Sequence, residues 1–211
     1  MKLRSKMITI LTIPVSLGLI GLTIFSSLLV QKDMRESVLE MSEEVVLSRA
    51  LDLASWVEVY RVGAQRTANE AVMRSGDPEK MKAYILSRQS NLDAHQDFEF
   101  VALRDGNFLA SSGDTGNVSH RNYFQAIMEG EDFVVSDVLS SVATGRSIFT
   151  VSVPVRDMND RIIGVVSSAV RIERLSQMME SINIGEAFGT VLDGDLTVIA
   201  HPDPRYVRNL N

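Results

Sequence analysis

Few side chains in this sequence have the type and spacing that chemistry requires, and the most suggestive are Arg121 and Tyr123. A guanidinium fork can hold a carboxylate through two charge-assisted hydrogen bonds. A nearby tyrosine can add an aromatic wall and a hydroxyl. The plain alternative for Arg121 is a solvated arginine near the first turn of a helix, where the macrodipole slightly disfavours it. By residue type alone the surface role of Arg121 is the simpler interpretation, and a binding role stays open.

The other polar side chains do not form a catalytic or metal-binding motif. His95, His120 and His201 are scattered without metal-ligand spacing, and His120 either lines a pocket or lies on a helix surface. The sequence Asp193-Gly194-Asp195 is typical of a hairpin turn and is too short for a calcium loop. The sequence contains no phosphate loop, nucleophile elbow or paired-carboxylate motif. We therefore expect no enzymatic activity, no metal and no cofactor.

The composition excludes further classes of protein. The 211 residues carry a net charge of -6, so the chain lacks the excess of positive charge that is typical of nucleic-acid-binding proteins. The chain has no cysteine, which excludes disulfides and thiolate metal sites.

The N-terminal part of the chain predicts a membrane anchor. Residues 7–30 carry no charge and would span roughly 36 Å as a helix, enough to cross a bilayer core with some tilt. Lysine and arginine in residues 1–6 predict a cytoplasmic tail by the positive-inside rule. A cleaved signal peptide is the alternative, but the apolar stretch is too long and lacks a small-x-small site. We expect a protein of the cell (inner) membrane whose part after the span, to Asn211, is extracytoplasmic.

After the span, residues 31–75 predict a long stalk helix. Apolar side chains recur every three or four residues, and neither proline nor a run of turn residues interrupts positions 32–74. A helix of about forty residues is too long to be buried alone, so we expect it to pair with a second copy near the membrane, as a homodimer, and to pack its far end against a sheet. Two helices in a simple bundle are the alternative. The stripe comprises Val46, Ala50, Leu53, Val57, Tyr60, Ala64, Ala68 and Ala71.

Residues 76–184 predict an antiparallel sheet module, so the fold class is α+β. Asp77 and Pro78 begin a short helix that ends near Ser90, and Phe98, Phe100 and Ala102 begin a hairpin that turns at Asp105-Gly106. We expect Ser119 to cap a helix that ends at Glu129 and Gly130. Two long strands and an amphipathic helix follow, at Ser147–Val155, Arg161–Val170 and Ile172–Ile182. A last hairpin pairs Gly189–Asp193 with Leu196–His201 and opens an incomplete second module over 185–211.

The motifs in this order resemble those of a family, the double Cache sensor domains. The residues that carry the likeness are Arg121-Asn122-Tyr123-Phe124-Gln125-Ala126, Ser136, Thr144-Gly145-Arg146, Val151-Ser152-Val153-Pro154-Val155 and Ile163-Gly164-Val165-Val166. The likeness covers about residues 32–211. It implies a stalk helix, a membrane-distal PAS-like module (76–184) and a membrane-proximal one (185–211). Such domains belong to bacterial chemoreceptors, sensor kinases and cyclic-dinucleotide enzymes, and the second span and signalling region of a whole receptor are missing here.

The resemblance also implies a ligand site in the distal module, between the sheet and the helix and loop that cover it. Arg121 matches the arginine that meets the ligand carboxylate in amino-acid sensors, and Tyr123 stands where the family often has tryptophan. We expect the ligand-binding residues to be Arg121, Tyr123, Phe124, Ser141 and Ser152.

The sequence departs from the amino-acid sensors at three positions. Those sensors carry a tyrosine and an aspartate five and three residues before the Thr-Gly pair, and another aspartate late in the last long strand. Here these positions are Leu139, Ser141 and Ala169. Asp137 lies nearby, but two residues along a strand it is several ångströms away. We therefore expect a small carboxylate without an amine, or an uncharged metabolite.

The function that the resemblance implies is an extracytoplasmic ligand-sensing input domain, most simply of a chemoreceptor. Input to a sensor histidine kinase or a diguanylate cyclase is an alternative. A membrane-tethered domain that dimerises and binds no ligand is another.

Overall fold

The computed structural model describes residues 2–180, 183–184, 187–201 and 203–206, and it describes their side chains except at 2–17, 33, 35, 36, 180, 183–184, 187–188 and 204. The chain divides into two compact units, Met1–Arg49 and Ala50–Asn211. Helix α1 (Lys2–Asn69) has residues in both units.

The first unit consists of helix with exposed apolar side chains, for example Leu22, Phe25 and Leu28. Among the residues that the structure describes, no helix is both long enough and apolar enough to cross a membrane. The predicted span 7–30 falls partly outside these residues, because its side chains 7–17 are not described. The span therefore stays a prediction.

In the second unit, the last part of α1 packs on a sheet, as expected. The side chains of Tyr60, Ala64 and Ala68 are buried, and the two alanines belong to a core that includes sheet residues. The expectation of one uninterrupted helix to Arg74 was wrong. Helix α1 ends at Asn69, Glu70 is extended with ψ 141°, and the short helix α2 (Ala71–Arg74) follows.

The break at Glu70 is explained by what the next residues contact. Met73 becomes fully buried in the core. The Arg74 guanidinium donates from Nε and Nη2 to the carbonyl oxygens of Arg156 and Asp157, at 3.2 and 3.1 Å. A chain that changes direction here can satisfy both contacts, and these long-range contacts outweigh a local helix preference.

The next helix, α3 (Pro78–Ser87), begins where the sequence predicted. The Asp77 side chain caps it by accepting from the backbone amides of Glu79 and Lys80, and Pro78 occupies the first turn. Met81 and Ile85 are buried, as expected from their spacing. A 3-10 turn (Arg88–Asn91) completes the connection to the sheet.

In the described residues, seven strands form one sheet, and every pairing is antiparallel. Their spatial order is β3-β2-β1-β7-β6-β4, with β5 also paired to β6. The predicted hairpins are confirmed by the registers Phe100 with Ala110 and Val153 with Val166. The strands are β1 (Gln96–Leu103), β2 (Asn107–Ala110), β3 (Thr115–Asn117), β4 (Val134–Val135), β5 (Leu139–Ser140), β6 (Ser147–Arg156) and β7 (Ile162–Arg171).

The sheet has a core on each face, because alternate side chains of a strand point to opposite sides. One core contains Val101 and Val166 with residues of α1, α2 and α3. The other contains Phe98, Phe100 and Ala169 with the helix α4 (Asn122–Glu129). The predicted module of a sheet covered by the N-terminal helix is confirmed, and α4 covers its second face.

Helix α4 begins later than the sequence predicted. Ser119 does not cap it, because the backbone amide and the hydroxyl of Ser119 both donate to the Asn117 side-chain oxygen, at 2.9 and 2.6 Å. The N-cap residue is Arg121, in an extended conformation. Gly130 ends the helix with φ 122°, as expected.

The C-terminal elements are short. Helix α5 (Glu173–Glu180) buries Leu175 and Met179, whereas the predicted last residue of this helix, Ile182, lies outside the described residues. The expected last hairpin is present, shorter than predicted, and a further pair of short strands precedes it. These strands are β8 (Asn183–Ile184), β9 (Ala187–Phe188), β10 (Val191–Leu192) and β11 (Val198–Ala200), with a 3-10 turn at Pro204–Tyr206.

Candidate ligand-binding site

Arg121 is the N-cap residue at the start of helix α4. Its carbonyl oxygen accepts from the amides of Phe124 and Gln125, which starts the helix. The helix has no side-chain cap. Within the described part of the chain, the half-buried guanidinium of Arg121 makes neither a hydrogen bond nor an ion pair. An anion at this position would meet both the guanidinium and the first-turn amides of the helix.

Tyr123 lies in the first turn of the same helix and is buried. Burial raises the pKa of its phenol to about 12, and the neighbouring Arg121 charge lowers it only in part. The phenol therefore keeps its proton at any physiological pH. A neutral hydroxyl beside an arginine can donate to an anion instead of repelling it.

Arg121 and Tyr123 line a groove of about 430 Å³, here called the outer groove. Its volume falls in the range of small-molecule sites. One wall is the start of α4 and the other is the segment from β4 to β5. The lining residues are His120, Arg121, Asn122, Tyr123, Ala126, Val134, Val135, Ser136, Asp137, Val138 and Leu139.

A second space, here called the inner cavity, lies between α4 and the sheet. Arg121, Tyr123 and Leu139 line both spaces, so these three side chains form the partition. The inner cavity measures about 20 Å³, which is room for about one water molecule. Its other lining residues are mostly apolar: Phe98, Phe100, Phe108, Val118, Ser141, Val142, Ile148 and Thr150.

The turn 141–146, here called the lid loop, supplies Ser141 and Val142 to the inner cavity. Asp97 on β1 holds this loop through Thr144 and Arg146. The carboxylate of Asp97 accepts from the Thr144 hydroxyl at 2.6 Å and from the Arg146 guanidinium at 2.9 Å. Gly145 between them has φ 70°, a conformation that glycine adopts readily.

The structure brings together three of the five residues expected to bind a ligand. Arg121, Tyr123 and Ser141 line the inner cavity. Phe124 is buried in the core under α4 and does not line either space. Ser152 is also fully buried, and its hydroxyl shares a hydrogen bond of 2.7 Å with Ser167.

A third space, here called the junction cavity, lies on the other side of the segment 135–138. It measures about 220 Å³ and is lined by apolar side chains such as Leu53, Phe149 and Leu175, together with the β10–β11 hairpin. Segment 135–138 lines both this cavity and the outer groove. Asp137 also contacts the hairpin directly, because its Oδ1 accepts from the Gly194 amide at 3.3 Å.

Sequence reasoning missed Asp97 and placed Asp137 outside the site. A signal for Asp97 existed, since the Thr-Gly-Arg turn offers two donors and needs an acceptor, but nothing in the sequence says which strand supplies it. Asp137 lines the same groove as Arg121 because it follows β4 and faces α4 across the groove. Among the described residues, no cluster of three or more histidine or carboxylate side chains could hold a metal ion.

The chain is similar to known sensory domains. A family model described as Cache domain matches residues 30–211. The ligand-binding domain of the Pseudomonas fluorescens chemoreceptor CtaA in complex with L-isoleucine has a TM-score of 0.69 at 15% identity, covering 83% of this chain and 73% of that chain. The sensory domain of the Campylobacter jejuni chemoreceptor Tlp3 with isoleucine bound has a TM-score of 0.60 at 15% identity. The match covers 79% of this chain and 70% of that chain. The ligand-binding domain of the Pseudomonas aeruginosa PAO1 chemoreceptor PctB in complex with L-Arg has a TM-score of 0.58 at 19% identity. The match covers 72% of this chain and 66% of that chain. No curated protein matches the sequence.

Proposed function

Because this chain belongs to the Cache domain family, we propose that it is the ligand-sensing input domain of a transmembrane receptor and binds a small carboxylate at Arg121. The observation that carries the proposal is the half-buried Arg121 at the uncapped start of α4, on a groove of ligand size. Among the residues that the structure describes, its guanidinium has neither a hydrogen-bond partner nor an ion-pair partner. A carboxylate there would accept from the guanidinium fork and the helix amides together. The domain would sense and not catalyse, most simply as the input domain of a chemoreceptor.

The departures at Leu139, Ser141 and Ala169 support a ligand without an amine. All three positions are at least half-buried and none is acidic. A buried ammonium without a partner costs on the order of several kcal/mol, and a carboxylate alone does not incur this cost.

Asp137 favours a second candidate, an amino acid. Its carboxylate lines the same groove as Arg121 and could pair with an ammonium, although it already accepts from the Gly194 amide. The solved chemoreceptor domains described above hold amino acids. The two candidates differ in what Asp137→Asn does: it would abolish binding of an amino acid and leave binding of a plain carboxylate intact.

The experiment is calorimetry of the full 211-residue chain, purified in detergent and shown to melt cooperatively. The ligands are acetate, propionate, pyruvate, lactate and the common amino acids. We expect saturable binding of one or more of the carboxylates that lack an amine. Tight binding of an amino acid that depends on Asp137 would replace the first candidate by the second. A chain that binds none of these ligands would contradict the proposal.

We also propose that the N-terminus lies in the cytoplasm and the Cache module outside it. Lys2, Arg4 and Lys6 before the uncharged stretch 7–30 support this topology. A periplasm-dependent reporter fused after Asn211 should be active, and a cytoplasm-dependent reporter at the same position should be silent. The reverse pair of signals would overturn the topology.

A parallel homodimer along the stalk is the third part of the proposal. Apolar side chains such as Met34, Val38 and Met41 are exposed on α1 in the first unit, which favours a helical partner. Single cysteines placed along Met34–Val46 should cross-link with the period of a helix. Cross-linking that does not vary with position, or no cross-linking, would count against a paired stalk.

A further inference from the structure

The inner cavity has the lining of a ligand pocket but not the volume. It adjoins the Arg121 guanidinium, and Phe98, Phe100, Phe108 and Ile148 give it an apolar wall. The rings of Phe100 and Phe108 lie 5.2 Å apart, and those of Phe98 and Phe100 lie 5.9 Å apart. About 20 Å³ admits one water and no ligand group larger than that.

The lid loop supplies part of this wall and is a compact unit. It is bonded within itself, because the Ser141 amide donates to the Arg146 carbonyl at 2.8 Å and the Gly145 amide donates to the Ser141 carbonyl at 2.8 Å. The Ser141 hydroxyl also accepts from the Thr144 amide at 3.1 Å. These bonds would survive if the loop tilted away from the sheet about its base at β5.

Asp97 holds the tip of the lid loop to β1. Its side chain is 5% exposed, and both carboxylate oxygens are used, one by the Thr144 hydroxyl and one by the Arg146 guanidinium. Asp97 lies at a register shift of β1 against β7, between Gln96 and Phe98. Tilting the loop would break these two contacts and leave the loop's internal bonds intact.

We propose that Asp97 is a specificity-determining residue, because it latches the lid loop over the inner cavity and so sets how long an apolar tail the bound carboxylate can carry. The inference rests on the proposed function. A carboxylate on Arg121 lies at the partition between the two spaces, so its tail can enter the inner cavity only if the loop moves. Acetate needs no such movement. A carboxylate with a longer apolar tail must break the Asp97 contacts to bury its tail against the phenylalanines.

The test compares acetate with butyrate by calorimetry on the full chain in detergent. Asp97→Asn keeps the shape of the side chain and removes its charge, and Thr144→Val removes one donor while leaving the Asp97–Arg146 pair. We expect the preference for butyrate over acetate to rise about tenfold in Asp97→Asn, equivalent to ~1.4 kcal/mol. We expect a smaller rise in the same direction in Thr144→Val, and acetate affinity within about twofold of wild type in both.

Asp157→Asn is the matched control, because Asp157 pairs with Arg161 at 2.7 Å in the β6–β7 turn and does not line any of the three spaces described here. It should leave the preference for butyrate over acetate unchanged.

If Asp97 were merely structural, its replacement would weaken the binding of acetate and butyrate by the same factor, and that result would overturn the inference. An unchanged preference in both latch variants would also overturn it, while the proposed function would stand as long as binding still required Arg121. If no carboxylate bound the wild-type chain, the proposed function and this inference would both fall.

Discussion

Replacing Arg121 by alanine is expected to lower the affinity for a small carboxylate about a hundredfold or more. A hydrogen bond to a charged group contributes roughly 1.5–3 kcal/mol, and the fork can make two of them. Partial exposure of the guanidinium places the total near the low end of this range, at about 3 kcal/mol, which is about a factor of a hundred in affinity. Calorimetry with the carboxylate that the wild-type chain binds most tightly measures the loss.

Two further variants show whether the geometry of the fork matters or only its charge. Arg121→Lys keeps the charge and loses the planar pair of donors, so its affinity should fall between those of wild type and alanine. Arg104→Ala removes the same charge from an exposed turn of the same module and should bind like wild type. Carboxylate binding that survives Arg121→Ala unchanged would contradict the proposed site.

Replacing Arg88 by methionine is expected to destabilise the fold by about 3 kcal/mol or more. The Glu99 side chain is 1% exposed on β1, and its carboxylate accepts from Arg88 Nε at 2.8 Å. Removing Arg88 leaves that carboxylate in the core without its cation, and an uncompensated buried charge is costly. Urea denaturation should show a lower midpoint with little change in slope.

The double variant Arg88→Met with Glu99→Met separates the cost of an unpaired charge from the loss of packing. Replacing both partners by apolar side chains should recover most of the stability, because the buried charge is then gone. Lys82→Met is the matched control, since its partner Glu79 is exposed and such pairs contribute about 1 kcal/mol at most. A double variant as unstable as Arg88→Met alone would mean that the pair matters for its packing and not for its charge.

The sheet module could be predicted from the sequence because its signals are local. Alternation of Phe98, Phe100 and Ala102 before the Asp105-Gly106 turn predicted the first hairpin, and Gly106 has the positive φ that such a turn needs. Asp77 and Pro78 likewise marked the start of α3. These residues act on neighbours within a few positions, so the sequence alone is enough to predict the hairpin and the start of the helix.

The parts that could not be predicted depend on long-range contacts. Nothing local interrupts the helical stripe at Glu70, and the break follows from contacts of Arg74 with residues more than eighty positions away. Asp97 likewise contacts Thr144 and Arg146, which lie 47 and 49 positions further along the chain. The position of Arg121 at a candidate site was predicted, but the small volume of the inner cavity depends on how three phenylalanines of β1 and β2 pack.

Segment 135–138 separates two spaces, because its residues line the outer groove and also the junction cavity. This shared wall could couple the two spaces thermodynamically. Any molecule that shifts the segment from one side changes the free energy of whatever packs against it from the other. Such an effect is reciprocal by linkage: if occupancy of the groove alters the packing of Asp137 on Gly194, then the packing of the hairpin alters affinity in the groove by the same factor. In that case an affinity measured on this domain would be a property of the groove and of the β10–β11 hairpin together.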